Sequence, residues 1–341
     1  MLETIPFFLL VFVFLLATGL IGIFGVRITH IARRLAADTG MGEAIMGAFF
    51  VGATTSLSGI IASVTAASYG HAELAVSNAL GGIAAQTLFL AVADMFYRKA
   101  NLEHAAASAE NLMMCAFLIT LLTINLIAFA VPDLQVLSIH PVSLFLFIAY
   151  LSGMRLIAKT HKSPMWLPKR TSETRPDDRK KRRKTYRFDY RRWLFFSIYS
   201  IIVGISGWIV SIASIEIVDR TGLSEGLVGG LFTAVSTSLP ELVIAVTAVR
   251  MKSLTLAVGD IIGGNSFDTL FIAASDAAYR PGPIYANVTS IEHFWLAITL
   301  MMNCIILMGL LHRQRHGVAN IGWESMMIFI IYLGGLVYVA H

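Results

Sequence analysis

The sequence predicts an all-α, polytopic membrane fold, and three observations predict it. Of 341 residues, 56% are hydrophobic and only 14% charged, a balance unlike that of soluble globular domains. Apolar stretches of about 20 residues, enough to cross a ~30 Å hydrocarbon layer as a helix, recur along the chain. A segment of the first half also returns in the second.

In order, the expected spans lie near 5–26, 44–68, 73–97, 107–131, 139–158, 193–218, 224–249, 254–279, 291–311 and 322–340, about ten transmembrane helices. The first lacks the basic leader of a secretory signal and reads as a spanning helix that stays in the mature protein. Alternate connections collect 24 of the 26 Lys and Arg on one side, leaving Arg220 and Arg280 opposite. The positive-inside rule then puts both termini outside the cytoplasm, in an integral protein of the plasma (inner) membrane. Cys115 and Cys304 fall inside expected helices and read as buried apolar thiols.

Residues 159–192 form the one long polar segment, with 14 Lys or Arg against four acids. It divides the chain into a first five-helix half, 1–158, and a second, 193–341. The segment reads as a solvated cytoplasmic loop that would also attract anionic lipid headgroups, at ~1 kcal/mol per basic residue near the surface. Nothing else in the sequence supports nucleic-acid binding.

Laying 43–98 on 225–280, a shift of 182 without a gap, gives 21 identities in 56 positions, among them Thr55/Thr237, Ser56/Ser238, Gly81/Gly263, Gly82/Gly264 and Asp94/Asp276. An odd number of spans separates the copies, so the second crosses in the opposite sense. Two inverted five-helix repeats of this kind place a substrate site at mid-membrane between them.

Within the second copy, Glu241 and Asp268 sit inside apolar runs, where an unpaired charge costs at least ~2.5 to 3.5 kcal/mol and marks a functional site. Pro240 cannot donate to the carbonyl of Ser236, and the Gly263–Gly264 pair is expected to loosen the following helix. Thr237, Ser238 and Glu241 share one helical face by their spacing, as do Gly264 and Asp268 on the next helix. An oxygen-only set suits hard cations such as Ca2+ or Na+. Asp94 with Arg98, and Asp276 with Arg280, read as salt pairs at the membrane surface. Asp260 and Asn78 read as polar anchors behind the site. No Gly-rich phosphate loop, Ser-His-Asp set or Cys/His metal cluster appears, so the chain is not expected to be an enzyme or to carry a cofactor.

The motifs TSLPEL (237–242) and GGNSFD (263–268) resemble those of the calcium/cation antiporter superfamily, the sodium/calcium exchangers and their relatives. The resemblance covers nearly the whole chain. It implies ion binding by Glu241 and Asp268 together with Thr237 and Ser238, with Gly264 where the family usually has Ser, and with Asn265 matching the family pattern. From the first copy, Thr55, Ser56 and Gln86 join the candidate set, and Ser236 completes it. That copy departs from the pattern: Ser58 and Gly59 stand where the family repeats Pro-Glu, and Ile83 and Gln86 where it repeats the Asn and the second acid or amide. The expected function is secondary antiport of Ca2+ against Na+ or H+. Monovalent cation/proton exchange on the same fold and a regulatory relative without transport are the other readings.

Overall fold

A computed structural model describes residues 5–39, 46–162, 166–169, 171, 189–317 and 321–340. Most of the basic 159–192 segment and the start of the first repeat at 43–45 lie outside the described residues. In chain order the helices are α1 (Phe7–Thr39), α2 (Met46–Thr55), α3 (Leu57–Ser68), α4 (Ala72–Asp94), α5 (Leu102–Ala106), α6 (Ala109–Ala130), α7 (Pro141–Lys162) and α8 (Tyr190–Thr221). Then come α9 (Glu225–Leu227), a π-helical turn (Val228–Thr233), α10 (Ala234–Thr237), α11 (Leu239–Arg250), α12 (Leu254–Asp268), α13 (Leu270–Ala278), α14 (Ser290–His312) and α15 (Trp323–Ala340).

The helix ends follow local chemistry. Ser108 caps α6 by accepting from the N–H of Asn111, and Asp189 caps α8 through Arg192. Thr289 and Glu292 form a reciprocal capping box on α14, each filling orphan donors of the first turn. At the other end of α8, Gly222 takes φ 70°, the left-handed cap that costs glycine no Cβ clash.

Among the described residues, seven helices are long and apolar enough to cross a membrane, and the pair α9–α10 and α11, bent by 49°, makes an eighth. The expected second and eighth spans are each built from two shorter helices, α2–α3 and α12–α13. The expectation of ten therefore depends on counting each broken pair as one crossing. α1 and α8, 33 and 32 residues long, pair along the outside and expose Phe8, Phe12, Leu15, Ile201 and Ile205. An apolar exterior of this kind is what lipid requires. At ~1.5 Å per residue each runs ~50 Å, well beyond the ~30 Å hydrocarbon layer.

α4 is the axis of the bundle and is buried almost throughout, packing on α3, α11, α12, α14, α15 and the π-helical turn. Its Ala- and Gly-rich sequence permits this, because small side chains let helix backbones approach closely. A Cβ on Gly81 would fall 2.2 Å from the carbonyl oxygen of Gly230, and one on Gly229 would fall 2.7 Å from that of Leu74.

Three expectations change here. Asp94 and Asp276 are both fully buried and form no surface pairs; Arg98 and Arg280 are exposed. Asp94 accepts from Leu102 N (2.7 Å), Gly322 N (3.2 Å) and Ser325 Oγ (3.0 Å). Asp276 accepts from Ile284 N (2.8 Å), His140 N (2.7 Å) and Ser143 Oγ (2.7 Å). The two sets coincide at the 182-residue shift. Each aspartate thus caps the last helix of the opposite half, tying α4 to α15 and α13 to α7. The Gly263–Gly264 pair does not loosen its helix either: α12 runs through it, and the break comes at Thr269. Cys115 is buried as expected, but Cys304 is exposed on the apolar exterior.

Candidate functional site

The helical path is interrupted at Ser56, between α2 and α3, and at the matching Ser238, between α10 and α11. At Ser238 the break suits Pro240, whose ring removes a donor and crowds the preceding turn, and at Ser56 the same break forms with Ser58 in the matching place. The ring packs against α1 so closely that a Cβ on Gly25 would fall 2.4 Å from Pro240 Cγ. Sequence reasoning did not foresee the π-helical turn Val228–Thr233 just before this break. Its Gly229–Gly230 pair, set against α4, is the available signal.

Between the two breaks lies a small cavity lined by Ser56, Gly59, Asn78, Gly82, Gln86, Thr237, Ser238, Glu241, Asp268 and Phe271. Asp268 is 1% exposed. One of its oxygens accepts from Ser56 Oγ and the other from Gln86 Nε2 at 2.6 Å. The Gln86 amide also donates to Ser238 Oγ at 3.3 Å. Glu241 is 7% exposed, and its Oε2 meets no donor. Thr237 Oγ1 donates back to Thr233 O and to Asn78 Oδ1, at 3.0 and 3.4 Å, while Thr237 O accepts from Ser58 Oγ at 3.0 Å.

Of the residues expected at the site, the structure gathers Glu241, Asp268, Thr237, Ser238, Ser56 and Gln86 around this cavity. The others stand behind it. Gly264 backs Gln86, whose Oε1 would lie 3.6 Å from a Cβ there. Asn265 Nδ2 braces α4 through Ile83 O and Thr87 Oγ1, at 3.4 and 3.2 Å. Thr55 Oγ1 turns back to Gly52 O at 2.9 Å, and Ser236 is buried outside the lining. Asn78 is a lining residue that sequence reasoning set one layer back; it holds Gly59 O and Ser63 Oγ at 3.1 and 2.8 Å. Its repeat mate Asp260 pairs with Arg33 of α1 at 2.6 Å.

Gly59 occupies the first-repeat position that matches Glu241. A Cβ there would fall 2.6 Å from Phe271 Cε2, so the phenyl ring fills the space that an acid at 59 would use. Chemically the cavity offers two carboxylates, three hydroxyls and two carboxamides, an oxygen-rich set with no thiol or imidazole. Hard cations prefer such donors.

Comparison with known proteins agrees with this chemistry. The profile of the family described as sodium/calcium exchanger protein matches residues 9–155 and 192–340. The chain belongs to the sodium/calcium exchanger family. This is a family of transporters, and its member here is an integral membrane protein. The sodium/calcium exchanger MaX1 of Methanosarcina acetivorans is 27% identical over 151 residues, 43% of this chain and 40% of MaX1. CaxA of Alkalimonas amylolytica is 26% identical over 312 residues, 90% of this chain and 92% of CaxA. Against MaX1, therefore, the chain spans less than half of its relative's length. Among solved structures, the H+/Ca2+ exchanger CAX superposes with a TM-score of 0.66 at 12% identity, over 97% of this chain and 84% of that one. At that identity the likeness is one of fold.

Proposed function

We propose that the chain is a secondary active antiporter that exchanges Ca2+ for Na+ or H+ by alternating access. The observation that carries this reading is the pairing of Glu241 and Asp268 on one hydroxyl-lined cavity between two matched helix breaks. A buried pair of carboxylates needs positive charge, and a divalent ion supplies it with ligands already in place. Relatives and structural neighbours named for sodium/calcium and for H+/Ca2+ exchange bring both coupling ions within the reading.

The proposed topology has ten spans in two inverted five-helix halves, with the basic connections in the cytoplasm. Matched positions on the two sides of the cavity then differ in access. Asn78, toward the outside, is 2% exposed, whereas the side chain of its mate Asp260, toward the cytoplasm, is 26% exposed. This asymmetry supports an inward-facing arrangement, in which the outer path is sealed by the close contact of α4 with the π-helical turn.

The test is radiolabelled Ca2+ uptake into proteoliposomes under an outward Na+ or H+ gradient. Uptake under at least one gradient, lost in Glu241→Gln and Asp268→Asn, is the expected result. Folded protein that takes up no Ca2+ under either gradient overturns the reading.

A further inference from the structure

The cap on Asp94 carries two acids that the fold does not need. Glu103, on α5, and Glu324, in the first turn of α15, are 1% and 0% exposed, and none of their four carboxyl oxygens meets a hydrogen-bond donor. Buried polar atoms without partners are rare, and a buried charge without one is costlier still.

The other half of the molecule shows that this arrangement is not a requirement of the cap. At the 182-residue shift, Tyr285 stands for Glu103 and Val142 for Glu324, yet Asp276 keeps the same three donors. Both neutral residues leave the cap intact.

A niche has been made for the Glu324 carboxyl. A Cβ on Gly309 would fall 2.8 Å from Glu324 Oε1, and one on Gly322 would fall 2.7 Å from Glu324 Oε2. The Nδ2 of Asn101, 1% exposed and itself without an acceptor, faces the same point at 3.3 Å. Among the described residues no three acids converge closely enough to hold a metal ion.

We propose that Glu103 and Glu324 form a proton-binding site beside Asp94, at the end of the bundle where the basic connections gather. Each carboxyl holds its proton in the packed state, and Asp94, which accepts from three donors, is the member best placed to carry the negative charge. Loss of the protons puts three negative charges in one buried cluster and loosens the junction of α4, α5 and α15.

Burial, with Asp94 and Glu324 beside it, pushes the Glu103 carboxyl well above the usual glutamate range. Around the cluster, α14 contributes His312 toward Glu324. α12, packed on α5, contributes Asp260, which Arg33 engages. His104 and Arg313 lie toward the basic loop, bonded to Thr171 and to the carbonyl of Lys169. Glu73, Glu225 and Glu292, on α4, α9 and α14, lie at the far end of the bundle, ~30 Å away along α4.

The linkage has a definite sign. The folded state binds more protons than the unfolded one from the ordinary glutamate range up to the raised value, so stability falls as pH rises through that window. The experiment uses the full chain in lipid nanodiscs, as wild type, Glu103→Gln, Glu324→Gln and the double variant. Melting is followed from about pH 6 to about pH 9, with infrared spectra of the protonated-carboxyl band. The expected result is a wild-type melting point that falls with pH as the band weakens, a shallower fall in each single variant, and the shallowest in the double variant, which keeps only the fall due to groups elsewhere such as His71 beside Glu225. A double variant with the wild-type slope overturns the proposal. So does a Ca2+-induced stabilisation that needs Glu103 and Glu324 and survives Glu241→Gln, because it makes the cluster a divalent-cation site. If the double variant does not fold, the single variants decide: carboxyl bands unchanged from wild type in both would overturn the assignment.

Discussion

Removing the Asp276 carboxylate should unfold the second half more readily than any surface charge change. Asp276→Ala strands two buried backbone donors, His140 N and Ile284 N, and one hydroxyl, Ser143 Oγ, which now lie 2.7, 2.8 and 2.7 Å from its oxygens. Ser143 can rotate to another acceptor; the two amides cannot. At ~1–3 kcal/mol for each stranded donor, plus part of the charge-assisted bonds themselves, the loss comes to ~3–5 kcal/mol. Asp276→Asn keeps one oxygen but turns an NH2 group toward one of the amides, so its loss is about 1–3 kcal/mol. Arg280→Ala serves as the contrast, since Arg280 is exposed, and exposed charges contribute little. The assay is equilibrium unfolding in mixed micelles. An Asp276→Ala protein within ~0.5 kcal/mol of wild type, or an Arg280→Ala protein equally destabilised, would refute the swapped cap and restore the surface pair.

Other outcomes follow from the same geometry. Glu241→Gln and Asp268→Asn are expected to lose cation binding while folding as well as wild type or better, because neutralising a buried acid removes a desolvation cost; isothermal titration with Ca2+ beside a melting curve checks both halves of that statement. Gly81→Ala places a methyl 2.2 Å from Gly230 O, where backbone meets backbone and neither can yield, so a loss of ~1–3 kcal/mol or more is expected, visible as a lower melting temperature. His71 Nδ1 lies 2.7 Å from Glu225 Oε1, and that hydrogen bond raises its pKa above the ordinary value of about 6.5. The stabilisation is full below about pH 6.5 and lost as pH rises through the raised value; an NMR midpoint for His71 at or below 6.5 would contradict it, and Glu225→Gln should bring the midpoint down. Transport is expected to be electroneutral, so the Ca2+ gradient at which flux reverses stays fixed when valinomycin and K+ step the potential. Each net charge carried would shift it by ~2.3 kcal/mol per 100 mV.

Much of this was legible in the chain, and the reasons differ from part to part. The apolar runs and the 182-residue repeat announced the helices, and Pro240 announced the break at Ser238. Glu241 and Asp268 were conspicuous because acids in apolar runs are costly. The roles of Asp94 and Asp276 were hidden. An arginine four residues on offered an obvious local partner, whereas the true donors lie up to 231 residues away. No helical spacing points to a partner in the other half of the molecule. The helix count blurred for a related reason: spans that carry a site are broken by it, and a broken helix no longer meets a length criterion.

The erosion of the first repeat also takes on a physical meaning. From the sequence alone, Gly59 in place of an acid is simply a missing ligand, and a missing ligand would leave a hole in a tightly packed interior. The structure shows no such hole, because the Phe271 ring stands 2.6 Å from where a Cβ at 59 would be. Gln86, at the position that matches Asp268, turns its amide nitrogen toward Asp268 at 2.6 Å. The first copy therefore supplies an apolar wall and a neutral hydrogen-bond donor where the second supplies charge. Together these substitutions limit the cavity to two carboxyl groups and remove the room for a third. A site so filled can be neutralised by one divalent or two monovalent cations, and a third monovalent cation would remain uncompensated among buried groups. Under the antiport proposed above, the asymmetry of the two copies limits the number of charges carried per cycle.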